Sequence, residues 1–231
     1  MNEAAPYQTQ QKSKDEFSLK EKIGYTLLTG LAVGACIHFG SKFLKDKKEE
    51  KSDSKSFEDG SAATVAKQIK MTFENDGMPG TDVKKLRFLM TKLKSKDDLD
   101  KITKEYQNQF QSLLFQDMKK ELQSTEYDEM LQIKEGKPQK VGQAVPGPVL
   151  YKAWAKRLKS GFDKMYGFIP GTDEDCIRTV FNEIPSQRAF INVGVAYYKE
   201  YKRMLMDDLK AEFNTFTYPV YLTMITNKPK A

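Results

Sequence analysis

Few residues of this 231-residue chain could carry covalent chemistry. The one histidine, His38, lies in an apolar run, so residues 61–231 hold none. A Ser–His pair, a Cys–His pair and a histidine-based metal centre are therefore excluded from that part. The two cysteines are Cys36, in the same apolar run, and Cys176, in an expected helix. Nothing pairs them or marks an oxidising compartment. Adjacent carboxylates such as Asp97-Asp98 and Asp207-Asp208 point different ways from a helix and read as solvated faces. No phosphate-binding loop or dinucleotide fingerprint occurs. The expectation is a protein that is not an enzyme.

What remains is a set of residues that occurs twice. Gly80-Thr81-Asp82 returns as Gly171-Thr172-Asp173, 91 residues later. From there the two stretches match without a gap for over fifty residues. Leu86 pairs with Ile177, Leu93 with Ile184 and Leu99 with Phe190. Tyr106 pairs with Tyr197, Phe110 with Tyr201, Asp117 with Asp208 and Glu121 with Glu212. Upstream, Ala66-Lys67-Gln68-Ile69 matches Ala155-Lys156-Arg157-Leu158 at a spacing of 89, so the second copy holds two extra residues before its Gly-Thr-Asp. That is an internal repeat of about seventy residues.

The elements that must position these residues are helical. Phe190, Val193, Tyr197, Tyr201, Leu205 and Leu209 step by three and four. Thr81 and Thr172 suit an N-cap, and the Asp after each favours the positive end of a helix. The breaks predict five helices per copy, in the first at about 62–75, 82–94, 97–106, 109–123 and 126–133. No strand alternation occurs. Between the copies, Lys134 to Pro148 is rich in Gly and Pro and is expected to be non-helical.

Ahead of the repeats, Ile23 to Gly40 contain no Asp, Glu, Lys or Arg. Extended to Leu44, with Lys42 able to snorkel, the run is long enough to span a bilayer core of about twenty helical residues. A secretory signal is disfavoured because the polar lead is long and acidic as well as basic. Gly30 and Gly34, four apart, would let two such helices approach closely as a homodimer. Six lysines follow the span between Lys42 and Lys55 against four before it, which favours a cytoplasmic C-terminal part. The expected organisation is a polar tail (1–22), a single-pass transmembrane helix (23–44), a charged flexible tether (45–60), repeat 1 (61–133), a Gly/Pro linker (134–150) and repeat 2 (151–231). The net charge of +6 sits on residues 61–231, so an anionic surface would attract them. Their bases are interleaved with acids, which makes nucleic acid the weaker partner.

The repeated set resembles the annexin repeat. The resemblance rests on Gly80-Thr81-Asp82, Tyr106, Phe110 and Asp117 to Glu121-Leu122, and on Gly171-Thr172-Asp173, Tyr197, Tyr201 and Asp208 to Glu212-Phe213. It implies an all-α fold of two five-helix repeats behind the transmembrane helix. It also implies binding of acidic phospholipid through calcium, held by carbonyls of the turn before the second helix and an acid from the end of the fourth. Carried over, the metal residues are Met78, Gly80 and Glu121 in one copy and Ile169, Gly171 and Glu212 in the other. This chain departs from the pattern in having Met78 and Ile169 where the family turn has Gly, in Pro79 and Pro170, and in having two repeats instead of four. Half of the usual assembly would leave an apolar side uncovered unless the repeats dimerise or dock elsewhere. The implied function is a membrane-anchored module that binds, organises or bridges phospholipid surfaces. The alternative is a non-enzymatic scaffold, such as an anchored component of a secretion apparatus or of a membrane-containing virus particle, that uses the repeats for protein contacts.

Overall fold

A computed structural model of the protein describes residues 61–231 apart from Met78. The expected tail, transmembrane helix and tether, with Gly30 and Gly34, lie outside the described residues, as does Met78. Among the described residues no helix is long and apolar enough to cross a membrane.

These residues form ten α-helices in two sets of five. The first set is α1 (Ala62–Glu74), α2 (Val83–Lys92), α3 (Lys96–Phe110), α4 (Leu114–Glu121) and α5 (Ser124–Glu135). The second is α6 (Gly147–Phe162), α7 (Glu174–Glu183), α8 (Gln187–Tyr201), α9 (Leu205–Glu212) and α10 (Thr217–Thr226). Helices α2, α3 and α4 coincide with α7, α8 and α9 at a shift of 91 residues at both ends. The caps repeat as well. Asp82 accepts the Lys85 N–H and Asp173 the Cys176 N–H, each at 2.9 Å. Ser95 and Ser186 cap α3 and α8 through the N–H groups of Asp98 and Ala189. The caps of α2 and α7 are thus the Asp residues and not the Thr residues before them.

Three further expectations are corrected. The third helix runs to Phe110 and the fourth starts at Leu114, because Gln111 takes a left-handed C-cap conformation (φ 52°). The inter-repeat stretch is shorter than expected. Helix α5 continues to Glu135, and α6 begins at Gly147 with Pro148 in its first turn, where a missing N–H costs nothing. Finally, the two extra residues of the second copy build a small antiparallel ladder, β1 (Met165–Tyr166) and β2 (Ile169–Pro170). Gly167, at φ 64°, and Phe168 form its two-residue connection. A glycine with positive φ at the first central position suits that turn.

Each set encloses its own apolar core. One centres on Ile69, Leu86, Met90, Leu99, Tyr106 and Met118 and the other on Leu158, Ile177, Phe181, Phe190, Tyr197 and Leu209. In both, a tyrosine from the third helix reaches the fourth. The Tyr106 hydroxyl donates to Asp117 at 2.8 Å, and the Tyr197 hydroxyl donates to Asp208 at 2.5 Å. Tyr197→Phe removes the donor to a carboxylate that is itself buried. It is expected to cost about 1–3 kcal/mol in a chemical denaturation series. A cost below the error of that series would mean that Arg203, which also donates to Asp208, satisfies the carboxylate alone.

Candidate functional site

The Gly-Thr-Asp turns meet the ends of the fourth helices. Thr81 donates its hydroxyl to the main-chain carbonyl of Glu121 at 3.2 Å. Thr172 donates to the side chain of Glu212 at 2.6 Å. The structure therefore brings Gly80 and Glu121 to one place and Gly171 and Glu212 to another, as the repeat requires.

The two places differ in what they offer. Before α2, Gly77 and Gly80 sit at φ 84° and 88° with nothing within 4 Å of where a Cβ would be. Gly80 and Glu121 are exposed. Carbonyls in such a turn beside a carboxylate are the oxygen donors that a hard cation takes, so the first copy fits calcium by donor type. The second copy does not fit in the same way. Ile169 pairs with Tyr166 in the ladder, and the Gly171 N–H is bound to the Lys164 carbonyl at 2.8 Å. The Tyr166 hydroxyl lies 3.4 Å from the Thr172 carbonyl, to which it donates. Its ring lies so close over Gly171 that a Cβ there would meet it at 2.5 Å. Within the hairpin the carbonyls of Lys164 and Thr172 are engaged.

That hairpin instead presents side chains. Phe168 is 100 % exposed, Ile169 70 % and Tyr166 58 %. Phe216, four residues beyond Glu212, is 70 % exposed. Both turns lie at one end of the molecule. Lys164, at the base of the hairpin, is buried and ion-paired with Glu126 in the first turn of α5, just beyond the end of α4 that Thr81 holds. Sequence reasoning missed Tyr166 and Phe168. The signal was there, in a run of apolar side chains around a glycine where a solvated turn would be polar.

It also missed the seam between the repeats, which is ionic. Arg87 of α2 donates from Nε to both oxygens of Glu129 at 2.7 and 2.9 Å, and from Nη2 to Asp173 at 2.5 Å. Arg157 of α6 lies 3.6 Å from Glu129 and donates to Glu183 at 2.5 Å. Burial works against the charge on both arginines, and the facing carboxylates override it (Glu129 most strongly for Arg87, Glu183 for Arg157), holding both guanidinium groups above their ordinary range. Burial, and then the charge of Glu129, push the Cys176 thiol well up, so it is no nucleophile at neutral pH. Lys137 donates to the Thr91 carbonyl at 2.5 Å, and burial brings its ammonium down to about 8.

No family model matches the chain, and no curated protein matches it. Among solved structures it is similar to annexin III at 26 % identity, over 72 % of this chain and 44 % of that one, with a TM-score of 0.30. It is similar to chicken annexin V at 19 % identity, over 71 % and 45 %, with a TM-score of 0.29. For a point mutant of annexin A8 with an intact N-terminus the values are 14 %, 94 % and 73 %, with a TM-score of 0.35. The chain spans less than half the length of the first two. At these TM-scores the superpositions carry no argument about what the chain does.

Proposed function

We propose that this chain is an anchored, annexin-like module that is not an enzyme and that meets an acidic phospholipid surface with one end. Its span, residues 23–44, fixes it in the membrane with the repeats on the cytoplasmic side. The observation that carries this reading is the placement of both Gly-Thr-Asp turns at one end, one oxygen-rich and one tipped by Phe168 and Ile169. A basic domain adds long-range attraction to anionic headgroups. Calcium, if used, belongs to the first copy, where Gly80 supplies a carbonyl and Glu121 a carboxylate. Bound there, it would bridge protein oxygens to lipid phosphate. The second copy contacts the bilayer through its apolar tip.

The test is co-sedimentation of residues 61–231 with acidic vesicles, with calcium and then with chelator. Glu121→Gln is expected to weaken the calcium-dependent part by on the order of tenfold, through loss of a charged ligand. Glu212→Gln is expected to leave it unchanged. Equal losses from both changes would show two working calcium sites. No pelleting under either condition would overturn the membrane reading and favour the scaffold.

A further inference from the structure

The seam between the repeats is crossed by the ion pairs of Arg87 with Asp173, Arg157 with Glu129, and Lys164 with Glu126. Thr125 and Ser160 line a small gap beside them. Helix α5 lies between α2 and α6, whereas its counterpart α10 rests on α7 and α8. Residues Thr217–Thr226 hold no charged side chain, where α5 holds five. A helix without charge on any side belongs where it is covered. Yet Phe216, at its start, is 70 % exposed, and Val220 is half-buried. These two stand 91 residues after Thr125 and Glu129, which face α6 across the seam.

The start of repeat 1 carries the matching set. At the spacing of 89 that relates α6 to α1, Gln68 stands for Arg157, Met71 for Ser160 and Asn75 for Lys164. At the spacing of 91, Asp82 stands for Asp173. Every pair of the seam thus has a second version, with one member at the end of repeat 2 and the other at the start of repeat 1. In each, both members change together. Arg157 and Glu129 become Gln68 and Val220, and Lys164 and Glu126 become Asn75 and Thr217, neutral on both sides. Thr125 and Ser160 become Phe216 and Met71, apolar on both sides, and Met71 is 41 % exposed. Arg87 and Asp173 become Arg178 and Asp82, with both charges kept. Arg178 holds Asp175 within its own helix, so Asp82 would be its second acid, as Asp173 is the second acid of Arg87. A change at one end alone would leave a charge without a partner, which a covered surface tolerates poorly. We propose that these two ends meet in an assembly of the protein with itself. The α7 and α10 face of one chain receives the α1 and α2 face of a second chain, head to tail, as repeat 1 receives repeat 2. Such a contact closes into a ring or runs on, according to its rotation. It does not use the hairpin tip or the Gly80 turn, so it stands apart from the membrane reading.

The experiment is cross-linking of the full-length chain in maltoside micelles, in a Cys36→Ser background, with Cys176 left in place because it is buried. Chains with Met71→Cys are mixed with longer-tagged chains with Phe216→Cys, and a short bismaleimide is added. The mixture is expected to give a dimer with one chain of each kind, about tenfold above a control mixture of Lys140→Cys with Phe216→Cys, because a seated neighbour is held at a high effective concentration. Lys140 is exposed and belongs to neither face. Each variant alone should cross-link no better than the control. Val220→Glu in the Phe216→Cys chain puts an unpaired acid into the joint and should weaken the association on the order of 100-fold. Gln68→Arg in the Met71→Cys chain rebuilds the pair that Arg157 makes with Glu129 and should return most of that loss. Equal yields from the mixture and the control would overturn the proposal, and would leave this face to a different protein or to the bilayer. Phe216→Cys chains that cross-link to one another as well as to Met71→Cys chains would also overturn it, since the contact would then be two-fold. So would a yield that Val220→Glu leaves unchanged.

Discussion

Glu129→Leu is expected to lower the stability of the two-repeat unit by about 3–5 kcal/mol, the usual cost of removing one partner of a buried ion pair. For a unit of this size, about 2–4 °C per kcal/mol makes that a fall in Tm on the order of 10 °C. Glu129 is 1 % exposed and, among the described residues, is the only carboxylate that both Arg87 of its own repeat and Arg157 across the seam reach. Without it, Arg87 keeps Asp173 and Arg157 keeps Glu183, but two guanidinium groups face each other in a place that water scarcely enters. The repulsion and the lost hydrogen bonds act together. Arg87→Met in the same background should return part of the loss, because an apolar replacement of both partners avoids the unpaired charge. A double-mutant cycle measured by denaturation gives that coupling directly. A loss below 1 kcal/mol would mean that water reaches the seam and that the two repeats are joined by their apolar contacts alone.

The same ion network shows what the sequence could and could not disclose. The repeat was legible because it is a property of spacing. Tyr106 and Tyr197 stand 91 apart, and so do Asp117 and Asp208, Ser95 and Ser186, and Asp82 and Asp173. Side-chain bonds within one copy recur in the other, so sequence similarity there is similarity of contacts. The Lys137 bond to the Thr91 carbonyl is repeated by Lys228 on Asn182. The Pro138 carbonyl holds the Lys96 N–H as that of Pro229 holds Gln187. The seam was illegible for the opposite reason. A contact between copies has no partner at the shifted position. Glu129 corresponds to Val220, and Arg157 to Gln68, so the pattern that reveals the repeat hides its interface. Periodicity could have flagged Arg87, which lies between Leu86 and Leu89 on a buried face of α2, but not which acid it meets. In the Gly-Thr-Asp turns the cap falls one residue later than the Thr that sequence favours. Thr and Asp both cap helices, and only the tertiary bond from each Thr to the fourth helix leaves the cap to Asp. The hairpin escaped notice because its strands are two residues long, too short for alternation to register.

Phe168→Ser combined with Ile169→Ser is expected to weaken the binding of residues 61–231 to acidic vesicles by about 10- to 100-fold. Fully burying one such side chain is worth about 1.5–3 kcal/mol. Shallow insertion of two that are 100 % and 70 % exposed would supply about half of that from each. The sum of about 1.5–3 kcal/mol is one to two powers of ten at about 1.4 kcal/mol per tenfold. Neither side chain packs in the core, so the melting temperature of the variant should match that of the parent. The calcium-dependent increment proposed for Gly80 and Glu121 should persist at a lower baseline. Salt separates this from adsorption by charge. An inserted apolar tip holds in 0.5 M salt, where the Debye length is well under 10 Å, whereas attraction by the basic surface fades. Vesicle flotation at low and high salt, with fluorescence of a tryptophan placed by Phe168→Trp in a Trp154→Phe background, reads depth as well as affinity. A blue shift for Phe168→Trp that vanishes with Ile169→Asp would place the tip among the acyl chains. Binding that survives the double change but disappears in salt would reduce the hairpin to an ornament of the second turn and assign the contact to the lysines. The distinction matters for the whole chain. On the proposed anchoring, a domain tethered by its own span would gain little from a charge that only raises its local concentration, but an apolar wedge at one end would fix its orientation on the bilayer.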